Sequence, residues 1–345
     1  MKTQTMEWIA AGKRQRQQRW LMITGSLVLL AILLCGAMLL LGHTIYPVFD
    51  VIRVLLGEQI QGATFAIQTI RLPRMLSGLF AGFAFGIAGN TFQTMLRNPL
   101  ANPNVIGITT GSSAAAVFCI IILQASNTIV SIASVAGGLI TVLLLYIFSR
   151  TKRSSFSIGR LILVGIGIQA MLNAVISYLL LVGGEQDIPA ALRWLSGSLN
   201  GIRVEDVTPL IMAVLICAPI VVLFGKHLSI LELGEQTATT LGVHTDQARM
   251  ALILSSVCMI ALATAVTGPI AFVAFLAGPI AKRLVGVGFS NAIPAGLVGV
   301  NLVLGADLMG QFAFEVRYPV GIITGMIGAP YLIYLLIRMN QKGDL

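Results

Sequence analysis

Along most of this 345-residue chain, apolar residues run together in long unbroken blocks, and short polar clusters between the blocks hold nearly all the charge. A block of about 20 apolar residues is what a helix needs to cross the hydrocarbon core of a bilayer. The blocks fall at roughly 20–41, 72–96, 104–123, 128–148, 161–182, 207–224, 248–266, 270–285, 292–310 and 319–337. Each predicts a membrane helix, the eighth a short one. The first is too long for a signal-peptide core and has no small-residue cleavage pattern near its end, so it is expected to remain as a span. Residues 43–70 read as a mixed loop with a short amphipathic piece at 48–56. Residues 189–200 read as a short helix capping the fifth and sixth spans, with Trp194 at the interface. The pattern predicts an all-α integral membrane protein of about ten transmembrane helices. It comprises a basic arm over 1–19 and a single membrane domain over 20–345.

Composition agrees and sharpens the topology. Hydrophobic residues make up 57% of the chain and charged residues 10%, and the mean hydropathy is +0.91, values foreign to a soluble core. A Lys or Arg at mid-bilayer costs about 2.5–3.5 kcal/mol, so the 22 basic residues belong in the connections. Ten spans with a cytoplasmic N-terminus place sixteen of them on the cytoplasmic side, among them Lys13, Arg97, Arg150, Lys226, Lys282 and Arg338. The other six, Arg53, Arg71, Arg74, Arg193, Arg203 and Arg317, fall outside. Losing one span would swap the sides of every later loop, so this bias supports the count and puts both termini in the cytoplasm. The net charge of +9 therefore reports topology, and nucleic acid is not an expected partner. Cys35, Cys119, Cys217 and Cys258 all lie inside apolar blocks without a CxxC pair and read as packing residues.

The densest pattern is Arg-Leu-Pro-Arg at 71–74 followed by a span in which Gly78, Gly82 and Gly86 recur every four residues. That spacing strips side chains from one helix face and lets a neighbouring helix approach closely. Asn90 and Gln93 bring amides into the same span, and Arg97 closes it before Asn98-Pro-Leu-Ala-Asn-Pro103, a turn imposed by two prolines. Gln169 and Asn173 share a face of the fifth span and either line a polar path or tie helices together. The longest cytoplasmic loop, 226–249, holds a small polar segment between Gly234 and Gly242, suited either to a groove on a partner or to the membrane surface. Gly165-Ile-Gly-Ile-Gln-Ala170 matches a nucleotide-binding spacing but has no preceding strand, and reads as close helix packing. Asp307 and Glu315, near the end of the ninth span, are expected to reach the interface. The histidines share no ligand spacing, and no Walker sequence, Ser-His-Asp order or HExxH occurs, so neither a metal site nor a cofactor is expected.

These motifs also carry a resemblance. RLPR, RNPLANPNVIGITTG, LELGEQTATTLGV, GPIAFVAFLAGPIAKRLVG and YPVGIITGMIGAP occur in this order. From about residue 45 onward the chain resembles permease subunits of binding-protein-dependent ATP-binding-cassette importers for iron–siderophores, haem and cobalamin. The resemblance implies the type II importer permease fold in a bacterial cytoplasmic membrane, and transport driven by ATP hydrolysis on other subunits. It further implies a second permease subunit, two ATP-binding subunits and an extracytoplasmic substrate-binding protein. It places binding-protein docking at Arg71 and Arg74. The coupling region falls at about 228–246, at Glu232, Gly234, Glu235, Ala238, Leu241 and Gly242, with Asn90, Gln93, Gln169 and Asn173 candidates for the path. The chain departs from the family pattern where Ile280 follows Pro279 in place of His, and at Gln311 and Arg317, where Arg and Glu are usual. The missing His resembles one of two unlike permeases in ferric-siderophore importers, and Arg317 stands as a shifted third docking cation. A haem or cobalamin permease is the alternative within the family. An ion-coupled secondary transporter would be expected to carry buried acids or broken helices near mid-bilayer, where amides and glycines stand instead, and a passive scaffold would need neither the polar amides of spans two and five nor a specialised inner loop.

Overall fold

In hydrocarbon every backbone N–H and C=O must find a partner within the protein, so an isolated apolar run has the helix as its solution. A computed structural model of the chain shows a helix at each of the ten blocks. It describes all residues except 1, 102–106, 150–157, 232–239, 241–244, 287–288 and 343–345. The elements are α1 (Lys2–Leu40), α2 (Val48–Leu55), α3 (Leu72–Met95), α4 (Ile108–Ile121), α5 (Asn127–Ser149) and α6 (Ile158–Val182). They continue with α7 (Ile188–Leu195), α8 (Val204–Leu231), α9 (Thr245–Thr267), α10 (Val273–Val285), α11 (Ala292–Phe312) and α12 (Val320–Lys342). Among the described residues eight helices are long and apolar enough to cross a membrane, and α4 and α10 are shorter. The basic arm is not a separate element, because α1 runs through it without a break.

Two boundaries differ from expectation. The second span begins at Phe65, seven residues before the block read from the sequence, because a π-helical turn over Phe65–Arg71 feeds directly into α3. Pro73 explains the widening. Proline offers no N–H and its ring crowds the carbonyl four residues back, and a wider turn just before it relieves that clash. The Leu72 N–H bonds five back, to the Ile67 carbonyl. The eighth span is shorter than 270–285. Gly268 (φ 69°) and Phe272 (φ 63°) are left-handed, so the helix starts only at Val273. At ~1.5 Å per residue the 13 residues of α10 reach about 20 Å, short of the ~30 Å core.

The span Phe65–Met95 is the hub. Its most apolar stretch is 72% buried, against 17% for that of α1 and of α6. It packs against α11, α9, α10 and α8, and its closest partner is α11. The expected glycine face is that contact. A Cβ on Gly82 would stand 2.7 Å from the Gly299 carbonyl oxygen, and one on Gly78 would stand 2.8 Å from a Leu304 methyl. Gly86 meets the Ala295 backbone and Gly89 the Ala274 backbone in the same way. Gly82, Gly86 and Gly89 thus let α3 lie backbone to backbone on α10 and α11, and Gly78 makes room for the Leu304 side chain. The close packing expected at 165–170 is not found at Gly167, which faces open space.

Candidate functional site

The elements gather polar chemistry at the two ends of the bundle. At one end lie the C-terminus of α1, α2, the π-turn, α7 and the connection after it, and the 313–319 turn. The chain is pinned there by backbone bonds from Ser198 to Thr267 (2.7 Å) and from Gly321 to Gly197 (3.2 Å).

All three arginines expected to dock a binding protein sit at this end, with different surroundings. Arg71 is buried. Its Nη1 donates to the Leu39 and Leu40 carbonyls (2.8 and 2.9 Å) and its Nη2 to the Thr44 carbonyl (2.6 Å), and the guanidinium lies 5.0 Å from the Tyr46 ring centre. The Leu39 and Leu40 carbonyls are among those that the end of α1 leaves without helical partners, so Arg71 serves as a C-cap supplied from another helix and also ties down the Thr44 carbonyl beyond it. Arg74 forms a fork: Nε and Nη2 each donate to one oxygen of Asp307 at 2.8 Å, and Nη1 donates to the Asn200 Oδ1. Asp307 also accepts from Gln311 Nε2 at 2.8 Å. Arg317 is exposed, and its Nη2 lies 2.8 Å from His43 Nε2.

Asp307, near the end of α11, is buried, 1% exposed and held between Arg74 and Gln311. A carboxylate at that depth needs a cation and further donors to offset its desolvation, and both are present. Glu315 is exposed.

The four amides considered for a path are not brought together. Gln93 is buried and donates to the Phe275 carbonyl at 2.8 Å, tying α3 to the start of α10. Asn90 is half-buried beside Gly278. Gln169 is half-buried and Asn173 exposed on α6, which has no extensive contact with α3. Glu232, Gly234, Glu235, Ala238, Leu241 and Gly242 lie outside the described residues. The segment that contains them joins α8 to α9, two helices packed along one another.

Sequence reasoning missed a cavity of about 510 Å³ at the Arg71 end, of mixed polar and apolar lining, whose polar side comes from Gln124, Asp187, Arg193, Trp194, Asn200 and Asp206 among others. Gln124 donates to Asp187 at 3.1 Å, and Asp206 accepts the Arg203 N–H at 3.1 Å to open α8. These residues come from three separate connections, from α7 and from the first turn of α8, so spacing in the chain holds no trace of their meeting.

Comparison with known proteins places this geometry. The FecCD transport family matches residues 27–338. The chain is similar to the ferric enterobactin transport system permease protein FepG of Escherichia coli, 35% identical over 94% of this chain and 98% of that one. It is similar to the achromobactin transport system permease protein CbrC of Dickeya dadantii, 36% identical over 92% of this chain and 91% of that one. Its fold is similar to a solved inward-facing structure assigned to the metal-chelate type of ABC transporter. The TM-score is 0.81 and the identity 27%, covering 92% of this chain and 99% of that one.

Proposed function

The chain belongs to the FecCD transport family, and from that premise we propose that its cargo is a ferric siderophore complex. As a multi-pass permease subunit of an ATP-binding-cassette importer it works with ATPase and substrate-binding partners, and a bacterial importer of this kind sits in the inner membrane. The observation that carries the cargo is near-full-length similarity to permeases named for ferric enterobactin and achromobactin. A non-identical second permease completes the proposed assembly. It would meet the open faces of α6 and α12, whose most apolar stretches are 17% and 28% buried within this chain.

Each partner has a place in this reading. The Arg71 end faces the binding protein, with Arg317 as the exposed cation, Arg74 at the rim, and Arg71 holding the backbone beneath them. The 228–246 segment meets the ATPase through Glu232, Glu235, Ala238 and Leu241, with Gly234 and Gly242 bounding it. Asn90, Gln169 and Asn173 offer amides toward the path, whereas Gln93 serves it by fixing α10 against α3. Both termini are cytoplasmic. The deciding experiment reconstitutes the complete importer in vesicles and measures ATP-driven uptake of ferric catecholate, ferric hydroxycarboxylate, haem and cobalamin. Uptake of a ferric chelate is expected; uptake of haem or cobalamin alone would move the protein to another branch of the family.

A further inference from the structure

The end of the bundle opposite Arg71 has chemistry that transport by itself does not call on. Arg283, in the last turn of α10, and Arg338, in the last two turns of α12, converge on one phenol oxygen. The Arg283 Nη1 donates to Tyr334 Oη at 3.1 Å and the Arg338 Nη1 donates to the same atom at 3.0 Å. The Arg283 guanidinium also lies 5.6 Å from the Tyr334 ring centre. Two like charges on one neutral acceptor repel each other unless an anion joins them. Among the described residues no carboxylate stands at ion-pair distance from either, the ion pairs being Arg53–Glu58 and Arg74–Asp307.

The end of α10 that carries Arg283 is held in place from α1. Arg19 donates to the Leu284 carbonyl at 2.9 Å and the Arg283 carbonyl at 3.4 Å, capping α10, and Trp20 Nε1 donates to the Ser290 carbonyl at 3.1 Å. Lys282, exposed on the same last turn of α10, adds a further cation. Tyr331 packs beside Tyr334, their ring centres 6.1 Å apart, and aromatic residues of this kind collect at the headgroup plane of a bilayer. Beside the arginines on α12, Ile333 and Ile337 are 59% and 56% exposed, a greasy flank suited to acyl chains and not to a soluble partner.

We propose that Arg283 and Arg338, which meet at Tyr334, bind the phosphate of an anionic phospholipid, with Lys282 as a further cation on the same turn of α10 and the acyl chains along Ile333 and Ile337. The bound headgroup would cross-link α10 and α12 at their shared end.

The test is native mass spectrometry of the assembled importer in neutral detergent, titrated separately with dioleoyl-phosphatidylglycerol, dioleoyl-phosphatidylcholine and inorganic phosphate. The wild-type complex should retain phosphatidylglycerol in preference to phosphatidylcholine and should not retain phosphate. Arg283→Gln with Arg338→Gln should weaken phosphatidylglycerol binding about thirtyfold, the effect of two basic residues near an anionic surface. Arg338→Gln alone, on a peripheral helix, should weaken it about fivefold and serves if the double variant does not assemble. Arg14→Gln with Arg16→Gln should change nothing, which separates a site from net charge. Equal retention of the two lipids, equal binding by wild type and variants, or retention of free phosphate would each overturn the proposal. So would displacement of the lipid by the ATPase subunit, which would assign the arginines to a protein contact.

Discussion

At the scale of residues, the Arg74–Asp307 fork shows how geometry changes the reading of a motif. An arginine beside a proline at a helix mouth reads as a surface cation, but here both carboxylate oxygens of a 1% exposed aspartate claim it. Asp307→Asn should lower unfolding stability by about 3 kcal/mol, the low end for losing one partner of a buried pair, because Arg74 is partly exposed. Replacing both, Arg74→Met with Asp307→Leu, should recover much of that loss, since no unpaired charge remains. Thermal unfolding of the purified chain in a double-mutant cycle reads this out, and additive losses would refute the coupling. The fork also warns against charge reversal at Arg74 as a docking test: Arg74→Glu would set a second carboxylate against Asp307 and unfold the site before docking is measured.

Among elements, the contact of α3 with α11 is set by the absence of side chains. Gly82 and Gly299 lie backbone against backbone, and neither can yield to an added group. Gly82→Leu should therefore cost more than the ~1–3 kcal/mol typical of overpacking and abolish recovery of folded protein from membranes. Gly167→Leu, on the open face of α6, should leave the fold of this chain unchanged. It should reduce co-purification of the second permease if α6 lies at their interface. Equal yields of folded protein from the two variants would contradict the packing account.

For the whole molecule, the two polar ends make separable predictions about sidedness and docking. In a background without the four native cysteines, Ser198→Cys should react with an impermeant thiol reagent from outside, and Thr237→Cys should not. The reverse pattern would invert the topology. Arg317 is exposed and meets His43, so Arg317→Glu tests docking without disturbing the core. Exposed ion pairs contribute about 0–1 kcal/mol each, and reversal should weaken binding-protein affinity roughly fivefold at low salt, mostly through the association rate. The difference should fade as salt rises. Affinity unchanged at every ionic strength would remove Arg317 from the docking face.

The local code of the chain was enough for the ten helices, the asymmetry of basic residues between loops and the glycine face of the second span. Each depends on a period or a run within one segment: apolar length against bilayer thickness, or glycines four apart on one helix. What the order of residues left open were the meetings of groups far apart in the chain. Asp307 lies 233 residues from Arg74, and Leu39 lies 32 from Arg71. Arg338 and Arg283 share a phenol across two helices. Whether a cation at a helix mouth faces solvent or seals a neighbouring helix depends on which carbonyls and carboxylates arrive beside it. Packing of the other helices against α3 decides that, and no run or spacing within a single segment encodes it.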